Sequence, residues 1–139
     1  MNIVYDVNLC SKLFKNKLNK ELEDYNITAV QLSVLMAIDS HSADPEFNTA
    51  VNLARKLDMD KPTMSAIVNR LIEKDYIEKQ VHPLDGRMWI LSLTSKFKDN
   101  YDEFNYRIKK VQFLASEDLT QGEIIFFNNT LNKIIHNLK

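Results

Sequence analysis

Punctuation is scarce in this chain, whose 139 residues include only two glycines, Gly86 and Gly122, and three prolines, Pro45, Pro62 and Pro83. So few breakers leave long stretches free for helices, and a mostly helical protein is expected. Cysteine is scarcer still. Cys10 stands alone, which excludes an intramolecular disulfide and any cysteine-based structural zinc site. His41, His82 and His136 lie far apart and show no metal-ligand spacing. No apolar run approaches the ~20 residues needed to cross a bilayer, and the start, MNIVYDVNLCSKLFKNK, lacks a basic stretch followed by an apolar one. A cytoplasmic protein without membrane contact is expected. There is no glycine-rich phosphate loop and no nucleophile with an adjacent base, so neither enzymatic activity nor a cofactor or metal is expected. Charge of one sign is missing too. The net charge of −1 lacks the basic excess that phosphate contact favours, and the stretch from Arg55 to Arg87 is itself near neutral.

What is present suits one globular unit, since 45% of the residues are apolar and 27% charged. From Ile3 to Tyr25 the apolar residues Ile3, Val7, Cys10, Phe14, Leu18, Leu22 and Tyr25 recur every three or four positions, which predicts one long amphipathic helix. Thr28 and Gln31 form a capping box for a second helix reaching about Ser40, with Ile27 and Leu32 as its hydrophobic staple. Beyond Thr94, Phe97, Tyr101, Phe104, Ile108, Val111 and Leu114 share another helical face. Thr120 and Glu123 then open a last helix bearing Ile124, Phe127, Leu131, Ile134 and Leu138, with Leu119 and Ile124 as staple.

Thr49 to Thr94 reads differently. A short helix to about Leu57 is followed by a turn at Asp58–Asp60, and then by a helix from Lys61 to Lys74 that Asp60 caps and Pro62 tolerates in its first turn. Met64, Ile67, Val68, Leu71 and Ile72 make its buried face. Tyr76–Val81 and Met88–Leu93 are β-prone segments joined around Gly86, where a positive φ is easily reached. That order is a winged helix-turn-helix. The fold class expected is therefore mainly α with a small β-hairpin wing and about six helices. Residues 1–40 and 95–139 would form a helical dimerisation region around a DNA-binding lobe at 41–94. The flanking helices carry more apolar surface than that lobe can cover, and a second copy of the chain would bury it.

In this order and spacing, Thr28 and Gln31, the run NLARKLDMDKPTMSAIVNRLIEKDYIEK and the string PLDGRMWILSLT resemble the MarR family of bacterial regulators over nearly the whole chain. The resemblance implies a homodimeric transcription regulator, most often a repressor, on a pseudo-palindromic operator in double-stranded DNA. It also implies a small-molecule effector bound between the dimerisation helices and the DNA-binding lobe. Three positions depart from the family pattern: Asp75 replaces a usual Gly, Ala66 a common Arg, and Phe97 a usual Gly.

A helix of this diameter fits the major groove, which makes Thr63, Ser65 and Asn69 candidate base readers, while the methyls of Ala66 and Thr63 suit thymine. Asn69 reads equally well as a solvated position. Arg70 suits guanine or phosphate, or else a structural pair with Asp85 or Glu73; Arg55, Lys61 and Lys74 suit phosphates. Arg87 matches the family's minor-groove arginine, with Asp85 orienting it or pairing with Arg70. Phe14, Tyr25 and Phe104 are candidates for an aromatic effector pocket, although aromatics on a helical stripe more often belong to the core. Some family members sense oxidants through a cysteine in the first helix, and NLCSKLF is similar to that segment. Ala29 and Leu32 stand where those sensors place tyrosines, so Cys10 is expected to be a buried structural residue, with thiol-based sensing as the alternative. A second alternative keeps the winged helix but gives it a protein partner.

Overall fold

The computed structural model describes residues 2–139. The first helix, α1 (Ile3–Glu21), is capped by Asn2, whose Oδ1 accepts the Tyr5 amide at 3.1 Å. It stops earlier than the apolar stripe suggests. Leu22 is fully buried, a short 3-10 turn spans Glu23–Tyr25, and Asn26 takes a left-handed φ of 53°. The cause lies across the fold, where the Arg107 guanidinium donates to the Glu21 carbonyl at 2.7 Å and satisfies an oxygen that a longer helix would have used.

The second helix, α2 (Ala29–Ser40), begins at the expected capping box. Gln31 N donates to Thr28 Oγ1 at 3.1 Å, and Thr28 N donates to Gln31 Oε1 at 3.2 Å. Ile27 and Leu32, the staple pair, are both buried, as are Val34, Leu35, Ala37 and Ile38. A 3-10 turn at Pro45–Phe47 leads to α3 (Ala50–Lys56), capped by Thr49, and Asp60 caps α4 (Lys61–Glu73). Strands β1 (Ile77–Val81) and β2 (Trp89–Leu93) pair antiparallel, Ile77 opposite Leu93 and Val81 opposite Trp89. Helix α5 (Ser95–Ala115) follows, then α6 (Gln121–Leu138) behind the second capping box, where Glu123 N donates to Thr120 Oγ1 at 3.1 Å.

The wing loop corrects one expectation. Gly86 has no positive φ; the turn closes instead through Met88 N donating to Asp85 O at 3.1 Å and Arg87 N donating to the Asp85 side chain at 3.0 Å. Left-handed residues occur at Asn26, Asp58, Asp75 and Asp118, short polar side chains that tolerate this conformation better than most. Asp75, standing where the family usually has glycine, is one of them.

One core joins all three stretches of the chain. Leu22, Leu35, Leu53, Met64, Leu71, Tyr76, Phe97 and Phe104 are almost wholly shielded and belong to the same cluster. Phe97, the second departure from the family glycines, fills that core beside Tyr101 and Phe104, with ring centroids 5.9 Å away in both cases. By contrast, among the described residues none of α1 or α6 is buried. Phe97→Ala should therefore lower stability by about 3–5 kcal/mol in denaturant unfolding. An unchanged midpoint would show that its ring does not support α5.

Candidate nucleic-acid interface

Helix α4 is held by its apolar face and at both ends. Met64, Val68 and Leu71 are buried. At the start, the Asp60 carboxylate accepts both the Thr63 amide and the Thr63 hydroxyl, each at 2.8 Å, and these bonds hold its pKa below the usual carboxylate range. At the far end, Thr94 Oγ1 donates to Asp75 O at 2.6 Å and Lys96 Nζ donates to Lys74 O at 2.8 Å. The opposite face is free: Lys61, Thr63, Ala66, Asn69 and Arg70 are exposed, and Ser65 is half-buried.

Between α4 and the hairpin lies a cleft of about 300 Å3, which gathers four of the expected residues, Lys61, Ser65, Asn69 and Arg87. Thr49 and Val51 line its floor beside two residues that sequence reasoning missed, Lys79 and Trp89. Strand alternation was the available signal. The register pairs Val81 with Trp89 and Lys79 with Leu91, which puts all four on one face of the hairpin. The Lys79 ammonium sits 4.7 Å from the Trp89 ring centroid, a cation–π contact. Arg87, its side chain 92% exposed, forks onto Asp85 through Nε at 3.2 Å and Nη2 at 3.3 Å. These bonds hold the Asp85 carboxyl below its ordinary range. Asp85 thus orients Arg87, and Arg70 has no carboxylate partner among the described residues, so a structural pair with Asp85 or Glu73 is not formed. Thr63, Ala66 and Arg70 lie on α4 outside the cleft, and Arg55 is exposed on α3.

Three expectations need correction. Lys74 is not a free phosphate ligand, because its ammonium bonds the Asn26 carbonyl and, at 3.1 Å, Gln31 Oε1 of the α2 capping box. Phe14, Tyr25 and Phe104 do not share a pocket. Phe104 is fully buried, with Tyr25 edge-on at 4.9 Å, while Phe14 lines a separate apolar groove of about 1180 Å3 between α1, α5 and α6. Cys10 is exposed in that same groove rather than buried, since α5 and α6 flank this part of the α1 stripe without closing over it.

Residues 25–88 match the family model described as MarR family. The HTH-type transcriptional regulator MgrA of Staphylococcus aureus is 29% identical over 118 residues, covering 85% of this chain and 76% of that protein. The uncharacterised HTH-type regulator YwoH of Bacillus subtilis is 23% identical over 111 residues, 80% of this chain and 77% of that one. The fold matches the structure of the S. aureus MepR–DNA complex with a TM-score of 0.91 at 23% identity, over 100% of this chain and 99% of that one. It also matches an E. coli MarR mutant complexed with operator DNA, with a TM-score of 0.85 at 21% identity, over 95% and 92%.

Two outcomes follow from the ends of α4. Lys74→Ala removes one of the two donors to the buried Gln31 Oε1 and the side-chain donor to the Asn26 carbonyl, and should cost about 1–2 kcal/mol in urea unfolding, whereas a change confined to DNA affinity would restore its phosphate role. Because the folded-state pKa of Asp60 is lowered, its cap acts fully at neutral pH and weakens as the pH falls below about 4. The wild-type advantage over Asp60→Ala in unfolding midpoint should therefore shrink between pH 6 and pH 3; a constant difference would contradict the charged cap.

Proposed function

We propose that this chain is a MarR-family regulator of transcription that binds double-stranded DNA as a twofold dimer, as a repressor released by a small molecule. The convergence of α4 and the wing on one cation-lined cleft is the observation that carries this reading. Net charge near zero matters less than placement: Lys61 and Arg70 stand on the exposed face of α4, with Lys79 and Arg87 on the hairpin beside it.

In the complex, α4 enters the major groove, with Thr63, Ser65 and Asn69 meeting base edges and the methyls of Ala66 and Thr63 meeting thymine. Thr63 reads with its lone pairs and methyl, because its hydroxyl proton is given to Asp60. Arg70 contacts guanine or phosphate, and Arg55 and Lys61 fix the register on phosphates. Arg87 enters the adjacent minor groove, pre-shaped by its fork on Asp85. Partial neutralisation by Asp85 tunes this contact toward narrow, strongly negative AT-rich grooves.

The dimer rests on surface that one chain leaves uncovered. Phe113 and Phe126 are 79% and 73% exposed, and Leu9, Leu13 and Phe14 line the open groove. A second copy covers this patch and sets two α4 helices for half-sites about one helical turn apart. An effector that moves the helical region relative to the lobe changes that spacing and releases the DNA.

Binding of the purified protein to its own upstream DNA across a salt series tests the reading. Affinity should fall as salt rises, and Arg87→Ala should weaken it at least tenfold at moderate salt, about 1.4 kcal/mol or more. Equal affinity for Arg87→Ala would count against the wing, and binding indifferent to salt would count against DNA as the partner.

A further inference from the structure

Resting on the DNA-binding reading above, we infer that the cleft between α4 and the hairpin seats a backbone phosphate of the DNA, with Lys79 as its principal cation and Trp89 as the platform that holds Lys79 in place. Lys79 and Trp89 belong to neither the recognition helix nor the wing tip. Their placement follows from the geometry of a duplex. Adjacent major and minor grooves are separated by a single sugar-phosphate strand, so a protein that puts α4 in one and Arg87 in the other straddles that strand. The cleft between these two elements then faces the strand.

Its lining suits such an occupant. Lys61 stands on the α4 wall and Lys79 on the β1 wall, with Ser65 and Asn69 supplying neutral donors. Among the described residues no acidic side chain lines the cleft, and neither lysine has a carboxylate partner. Arg87 differs, because Asp85 offsets part of its charge. The contact with the Trp89 ring restrains the Lys79 ammonium without neutralising it, so its whole charge is available, and little side-chain freedom is left to lose on binding. A lysine ammonium is a compact point charge suited to a phosphate oxygen and indifferent to base sequence.

The test is a salt series with a mixed-sequence DNA duplex, comparing wild type, Lys79→Gln, Lys79→Arg and Arg87→Ala, with thermal unfolding run on each. Lys79→Gln should keep the wild-type unfolding midpoint, weaken binding about threefold to tenfold near 0.1 M salt, and make the plot of log affinity against log salt shallower by about one unit per protomer. Lys79→Arg should retain the wild-type slope. Trp89 is the single tryptophan of the chain, so its emission reports on the cleft directly and should change when the duplex binds. A Lys79→Gln protein with the wild-type slope would overturn the proposal while leaving DNA binding intact. No salt-dependent binding by the wild-type protein would instead remove the DNA-binding reading, and this proposal with it.

Discussion

Everything the interface can do depends on the fixed seat of α4. Its apolar side, Met64, Val68 and Leu71, is locked in a core shared with α2, the hairpin and α5. Its first turn hangs on Asp60, and its last turn is tied to Asn26 and Gln31 by the Lys74 side chain and to Lys96 through the Lys74 carbonyl. A helix of thirteen residues has marginal stability alone, so its polar face is ordered only because the other face is packed. The wing is joined to the same scaffold: Thr94, at the end of the hairpin, donates to the Asp75 carbonyl just after α4. Helix α4 and the hairpin are thus set against each other by short-range bonds, and the cleft between them has fixed walls.

The molecule divides by burial. Its centre is closed, whereas α1 and α6 leave much of their apolar surface exposed, among it Val7, Leu13, Phe126 and Phe127. That surface explains the correction at Cys10. A stripe with helical spacing identifies a face that wants cover, yet it does not say whether the cover comes from the same chain or another. Where the same chain provides it, as at Leu22 and Tyr25, the helix breaks so that those side chains can reach the core.

Local chemistry was legible in the sequence. Both capping boxes, the Asp60 cap, the paired strands and the outward face of α4 follow from patterns spanning a few residues, and each stands where those patterns put it. What escaped depends on long-range geometry. Nothing near Lys74 in the chain hints that its ammonium reaches back to Asn26 and Gln31, and nothing near Phe104 shows that Tyr25 packs against its edge. Glycine misled in a different way, since Gly86 marked the wing turn correctly while the left-handed residues were Asn26 and three aspartates. Lys79 and Trp89 were within reach, because strand alternation puts them on one face; their meeting with α4 was not.

Selection of bound sequences from a pool of random double-stranded DNA, followed by sedimentation of the winning complex, tests the central claim most directly. The account predicts enrichment of AT-leaning inverted half-sites with centres about one helical turn apart, each duplex carrying one protein dimer. A pool that stays random through successive rounds, or one protomer bound to a single unrepeated site, would contradict it.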